Sequence, residues 1–311
     1  MRKPFFFAVT IVATATIICQ VSHAAAGHPS AQLGVSRATV EGQTAAAAAK
    51  PWQPPRTPDG QPDIQGYWTE EAGGPEAVNV ETGFQTADSL RVQGWTDAQL
   101  AARVPVSSII DTKNGKIPYQ PWAEKRHDEI FHRYGGDEIT GKPQTVRDVS
   151  SELLCVIGAP RLMFFADFQV VQAPGYVIMA WERSSDFRII PISDRPHLPA
   201  NVKLHNGDSR GRWEGNTLVI DTTNLNDWSW FDGKGSFHTD AMTTVERLTF
   251  LDPKTIDYKV TVTDPVAFTQ PWTMNFTFTL RHPASERYEI YETACVSGEK
   301  ALDKLVPGTR R

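Results

Sequence analysis

Between Ser193 and Asn216 the chain reads SDRPHLPANVKLHNGDSRGRWEGN, which sets acids, bases and two of its eight histidines close together. Asp194, Arg195 and His197 come first, stiffened by Pro196 and Pro199. Histidine titrates near neutrality and suits general acid–base work. Asp194 is the acid placed to orient the His197 ring, and Arg195 a cation placed to hold a substrate. The competing reading makes Asp194-Arg195-Pro196 a tight turn whose carboxylate caps backbone N–H groups. Ser209 in GDSRG imitates a nucleophile elbow, but its surroundings read as loop rather than strand–turn–helix.

A second cluster lies in NLNDWSWFDGKGSFHTD. It holds Asn224, Asn226, Asp227, Trp228, Trp230 and Asp232, followed by His238 and Asp240. Two indoles beside amides and acids suit a sugar ring or a flat aromatic molecule, which makes Asn226, Trp228 and Trp230 candidate substrate-binding residues. His238, two residues before Asp240, has the look of a base with an orienting acid. The structural alternative is a compact loop plugged by its tryptophans. Calcium on this loop is conceivable, but the EF-hand pattern is missing.

A third group is Tyr258, Asp264-Pro265 and TQPWT, where Pro271 interrupts a strand ladder and Trp272 is expected at a cavity mouth. Glu182 with Arg183, and Glu246 with Arg247, close or interrupt apolar strands. Alternation puts one member of each pair inward, where a charge needs a partner or a ligand. Glu182 and Glu246 are thus candidate paired carboxylates. The sequence contains no H-x-x-x-H, and its histidines and acids form no compact set for a transition metal, so no metal site is expected. His127 and His132 are five apart, too far round a helix to ligate together, and read as surface or interface histidines.

These residues need a frame, and from Cys155 onward the pattern is β. RLMFFADFQVVQ and GYVIMAWE are separated by APG, and FRIIPIS follows a short turn. GRWEGNTLVIDTTN bends at Glu214-Gly215-Asn216, and TTVERLTFLDPKTIDYKVTVTD at Asp252-Pro253-Lys254. WTMNFTFTLRHPASERYEIYETACV reads as a third hairpin. Short turns between successive strands predict an antiparallel meander. A twisted meander of about eight strands most simply removes its edges by closing into a lipocalin- or calycin-like β-barrel, with a β-sandwich as the second choice. DIQGYWTEE is a candidate first strand. WTDAQLAAR predicts a short helix capped by Thr96 or Asp97, and PWAEKRHDEIFHRYG a longer one with Pro121 in its first turn.

The chain opens MRKPFFFAVTIVATATIICQVSHAAAG: two cations, an apolar stretch too short to span a bilayer, then small residues. This predicts a cleavable signal peptide over residues 1–26 and a periplasmic or extracellular protein. A flexible, Pro-rich arm follows over 27–62, then one β-rich domain over 63–311. Cleavage leaves Cys155 and Cys295, which in an oxidising compartment read as one disulfide, with two buried thiols as the alternative. The net charge is −5 and no basic block appears, so neither nucleic acid nor an anionic membrane is an expected partner. No later segment is apolar enough to span a membrane. With no Rossmann fingerprint and no phosphate loop, no redox or nucleotide cofactor is expected. Homo-oligomerisation stays open. Nine tryptophans in the chain are mostly assigned to packing.

The phrases GAPR (Gly158 to Arg161), GDSRGRWEGNTLVIDTTNLND, GSFHTDAMTTVERLTFLDPKTIDYKVTVTDP and FTQPWT occur in order. In them the chain resembles a large family of secreted, mostly hypothetical proteins of acidobacteria and proteobacteria, over roughly Pro51 to Glu299. Asn216 stands where the family's WEGDT form has aspartate, a mild exchange at a hairpin bend. The resemblance implies export and a shared β-rich domain, and carries no activity. From the residues themselves the expectation is an exported enzyme of lyase or hydrolase type. It would use His197 and Asp194, or His238 and Asp240, on a small aromatic or sugar-like substrate. A periplasmic small-molecule carrier is the alternative, and an envelope protein held by its arm a third.

Overall fold

Strands form where apolar and polar residues alternate. The computed structural model of the chain describes residues 52–70, 80–81, 96–102, 107–132, 145–148, 167–182, 186–232 and 234–290. Its frame is one mostly antiparallel sheet of nine strands. They are β1 (Gly66–Glu70), β2 (Phe168–Ala173), β3 (Tyr176–Trp181), β4 (Phe187–Pro191), β5 (Asp208–Glu214), β6 (Thr217–Thr223), β7 (Thr243–Asp252), β8 (Thr255–Thr263) and β9 (Trp272–Pro283). The helices are α1 (Asp97–Ala102) and α2 (Pro121–Ile130). The expected leader, residues 27–50, Cys155 and Cys295 lie outside the described residues. Among the described residues no helix is long and apolar enough to cross a membrane.

Turn chemistry sets three of the connections. Gly175 and Gly215 take φ of 78° and 63° at the β2–β3 and β5–β6 bends, and Pro253-Lys254 turns β7 into β8. The hairpin expected over Trp272 to Val296 lies partly outside the described residues, which end at Ile290. β9 runs unbroken to Pro283, and 284–290 carry no strand. The free side of β9 is taken by β1, with Trp68 opposite Leu280 and Gly66 opposite Pro283. α1 begins with a reciprocal cap: Gln99 N–H donates to Thr96 Oγ1 at 3.3 Å and Thr96 N–H to Gln99 Oε1 at 2.8 Å. α2 passes into a π turn at Phe131 and His132, and the expected end of the helix at Tyr134 lies outside the described residues.

The spatial order is β4-β3-β2-β1-β9-β8-β7-β6-β5. Nine strands that alternate in direction cannot close with every neighbour antiparallel. The ends of the series, β4 and β5, therefore run the same way, and Ile192 meets Gly211 in a parallel bridge. The barrel is thus nearly closed, with a thin seam between β4 and β5. Close approach there depends on Gly211: a Cβ at that position would lie 2.7 Å from Ile192 Cδ1 and 3.0 Å from Ile190 Cγ2. The parallel relation also forces the chain to travel back along the barrel between Ile192 and Asp208, because a tight turn joins only antiparallel neighbours.

Inward rows fill the barrel. Trp68, Phe168, Trp181, Tyr258, Trp272 and Phe276 are all buried. One end is covered by residues 52–64: Trp52 packs on Phe250 at 5.9 Å, and Gln172 accepts from Ile64 N–H and donates to Pro62 O. α2 and the β6–β7 and β8–β9 connections cover the other, where Tyr119 lies against Phe237 and Phe268, and Phe268 against Trp272.

Candidate functional site

The return passage from Ile192 to Asp208 carries the first candidate cluster. It is held by Asn224, which follows β6 with φ of 61°, a left-handed conformation that asparagine tolerates better than most residues. The buried Asn224 amide reaches three carbonyls of the passage, Leu198 (3.3 Å), Pro199 (2.8 Å) and Val202 (2.9 Å). Leu204 N–H donates to Asn224 O, and Asn226 N–H to Leu204 O. Asn224 therefore belongs to the frame rather than to a ligand surface.

So anchored, the passage brings His197 onto the first residue of β5. His197 Nδ1 lies 3.0 Å from Asp208 Oδ2, which also accepts from Leu198 N–H at 3.0 Å. Asp208, and not Asp194, is the acid that orients the ring; Asp194 points outward and is exposed. Arg210 Nη1 donates to Asp208 Oδ1 at 2.6 Å. Burial alone would raise the Asp208 carboxyl, but the Leu198 N–H, Arg210 and His197 outweigh it and hold the carboxyl below its usual range. The carboxylate accepts from Nδ1–H, so that in the neutral form of the ring Nε2 is the nitrogen with the lone pair.

Ser193, Asp194, Arg195, His197, Arg210 and Asp221 line a recess of 430 Å³ on the outer face beside the seam. Arg210 and Arg212 are compensated by Asp208 and by Asp221 with Glu214. Arg195 is exposed and has no acid partner among the described residues. Ser193 Oγ and Arg210 Nε are buried and lack a hydrogen-bond partner there. The recess therefore joins the His197 imidazole to an exposed guanidinium, Arg195, and an exposed carboxylate, Asp194.

The second candidate cluster comes apart. Trp228 is 47% exposed, whereas Trp230 is buried and donates from Nε1 to Arg147 O at 3.2 Å. Asn226 Oδ1 accepts Trp228 N–H at 3.2 Å, a turn contact. Asp240 is exposed and sits by Lys203, so it does not orient His238. His238 is buried; its Nδ1 faces Thr239 O at 2.9 Å and its Nε2 faces Ser229 Oγ at 2.9 Å. Burial pushes the His238 imidazole below its usual range, against the opposing pull of the Thr239 carbonyl and of Asp264. Trp272, expected at a cavity mouth, has no exposure at all and packs edge-on against Phe231 and Phe268.

The inward charge on β7 is Glu246, and it faces a guanidinium rather than Glu182. Arg188 donates to both carboxylate oxygens, at 3.0 and 2.9 Å, and Tyr258 OH adds a bond of 2.9 Å. Burial works against the Arg188 charge, but Glu246 raises its proton affinity above the usual value. Among the described residues no group of three or more histidines, cysteines and acids has metal-holding geometry.

Residue type brought out His197 and Arg195 as candidates, while Asp208 and Arg210, in GDSRG, are placed beside His197 only by the fold. Ser229, between two tryptophans, was missed, as was Arg188. Alternation would have placed Arg188 on the inward row with Ile190. The chain matches no family model, no curated protein and no solved structure.

Proposed function

We propose that the seam recess is the active site of an exported enzyme that performs general acid–base chemistry, of lyase or hydrolase type, on a small anionic substrate. The observation that carries this reading is the His197–Asp208 pair opening beside Arg195, which has no acid partner among the described residues. Arg195 would take a carboxylate or phosphate through its planar fork. His197 Nε2 would remove a proton from the bound molecule, and Asp208 would stabilise the imidazolium that forms. The proton then returns to the leaving group. The apolar leader and the two remaining cysteines support export. A carrier of lipocalin type is less well supported, because its cargo would compete with the aromatic side chains that occupy the inward rows.

The test uses a small-molecule extract of the producing cell's envelope. The full chain is incubated with it and consumption is followed by mass spectrometry, beside His197→Gln, Asp208→Asn and Arg195→Ala. Acid–base catalysis predicts a species that wild type consumes and His197→Gln consumes about 100-fold or more slowly. Arg195→Ala should chiefly weaken its binding. No consumption by wild type, or equal consumption by folded His197→Gln, would overturn the proposal.

A further inference from the structure

The buried contact between Ser229 and His238 lies in the β6–β7 connection, and two features set it apart from an ordinary loop clip. The first is direction. His238 Nδ1 faces a backbone carbonyl, Thr239 O, at 2.9 Å. A carbonyl only accepts, so in neutral imidazole the proton sits on Nδ1 and Nε2 carries the lone pair. Nε2 must then accept from the Ser229 hydroxyl 2.9 Å away. This is the tautomer in which the ring can take the proton of a nucleophilic hydroxyl.

The second feature is how firmly the orienting carbonyl is placed. Asp264, itself buried, accepts Thr239 N–H at 2.6 Å and Thr239 Oγ1 at 2.9 and 3.0 Å. It also accepts Val266 and Ala267 N–H, both at 3.1 Å. Phe231 packs on the His238 ring at 5.3 Å and limits its rotation. A chain of contacts therefore runs from Asp264 through Thr239 and His238 to Ser229, the ordering of acid, orienter, base and nucleophile found in acyl-transfer sites, with a carbonyl in the orienting place. Ser229 is buried, with 6% of its surface exposed, beside the half-exposed Trp228. A substrate would have to reach Ser229 past the Trp228 indole.

The geometry points to Ser229 as a base-activated nucleophile, separate from the seam recess, that accepts a small acyl group from an ester. Ser229 Oγ bonds to the acyl carbon and its proton passes to His238 Nε2. The carbon–oxygen bond of the ester breaks, and the leaving alcohol takes that proton from His238. Water, deprotonated by the same nitrogen, then releases the acid and restores the hydroxyl.

The probes are a fluorophosphonate and p-nitrophenyl acetate, applied to the full folded chain. The fluorophosphonate should form one adduct per chain, mapped by peptide mass spectrometry to Ser229 and lost in Ser229→Ala. His238→Gln should slow its formation about 100-fold or more, while His197→Gln leaves it unchanged, so that failure here and failure at the recess are distinguishable. p-Nitrophenyl acetate should give a burst of nitrophenolate in wild type that Ser229→Ala lacks. If His238→Gln does not fold, the wild-type pH profile decides. The charged groups facing His238 are Asp264, Asp227 and His205, and burial dominates them in keeping the ring neutral. Labelling should therefore persist below the ordinary imidazole range. Absence of an adduct at Ser229, an equal rate in folded His238→Gln, or a rate simply proportional to hydroxide would overturn the assignment.

Discussion

Arg188 and Glu246 form a doubly hydrogen-bonded ion pair inside the barrel, although their strands, β4 and β7, are not neighbours in the sheet. The same guanidinium donates to Ser209 of β5 at 3.0 Å and Thr222 of β6 at 3.1 Å. One side chain from one edge of the sheet thus bonds to three strands on the other edge, where the seam lacks a continuous ladder. Removing one partner of such a buried pair strands a charge, at a cost of about 3–5 kcal/mol. Glu246→Gln should lose stability on that scale in denaturant unfolding. Arg188→Met with Glu246→Leu, which removes both charges, should recover much of it. A loss under about 1 kcal/mol in the single variant would show that the latch is not needed.

Closure also rests on Gly211. A methyl group there meets Ile192 and Ile190 on the other side of the seam. Gly211→Ala should cost about 1–3 kcal/mol by overpacking. Amide exchange should quicken in β4 and β5 while β8 and β9 stay protected. Ile192→Ala in the same chain should restore part of the loss, since it removes the nearest atom. If exchange instead quickens uniformly, the seam is not where the strain falls.

Much of this frame was legible in the chain. Period-two alternation marks β7 to β9, and glycine or proline marks the β5–β6 and β7–β8 bends. The strand that completes the sheet was harder: β1 pairs with β9 across two-thirds of the chain, and no local pattern names a partner so distant. Counting strands to nine also carries a consequence that hydropathy hides, because odd parity turns SDRPHLPANVKLHNG into a return passage. At the site, His197 and Arg195 were readable from residue type, while Asp208 was masked by the nearer Asp194. His238 stood out by residue type, but its Nε2 meets a serine, and Asp240 lies by Lys203 instead. Side-chain direction in irregular loops depends on tertiary contacts, and Asn224 and Asp264 supply them here.

Asn224 ties the return passage to the end of β6, and so places His197. Glycine tolerates the same positive φ, so Asn224→Gly removes the amide without adding backbone strain. Losing its hydrogen bonds to three carbonyls should cost about 1–3 kcal/mol. The fold should survive at room temperature while the His197–Asp208 contact loosens. Imidazole NMR shifts would report this: the His197 Nδ1–H signal should move toward that of solvated imidazole, and the His238 signal should stay in place. An unmoved His197 signal would mean that Asp208 alone positions the ring.

Acid should weaken the protein in two separable windows. Burial lowers the His238 pKa in the fold, so the unfolded chain takes up a proton first, near its ordinary value of about 6.5. Stability contributed by neutral His238 is therefore present above that value and lost as pH falls from there toward the lower folded value. Asp208 is also depressed, its hydrogen bonds and Arg210 overcoming the effect of burial. Its contribution is present above the unfolded carboxyl value of about 3.9 and is lost as pH falls through the folded one. Glu81 and Asp232 run the other way: burial raises both, so their protonated forms favour the fold until pH rises through the raised values. Comparing variants isolates each term. In thermal unfolding from pH 7.5 to 3, His238→Gln should flatten the slope just below pH 6.5 and leave the lower window intact. Asp208→Asn should flatten only the lower one. An unchanged slope below pH 6.5 in a folded His238→Gln would mean that the ring is protonated alike in both states, and that it is not the neutral acceptor facing Ser229.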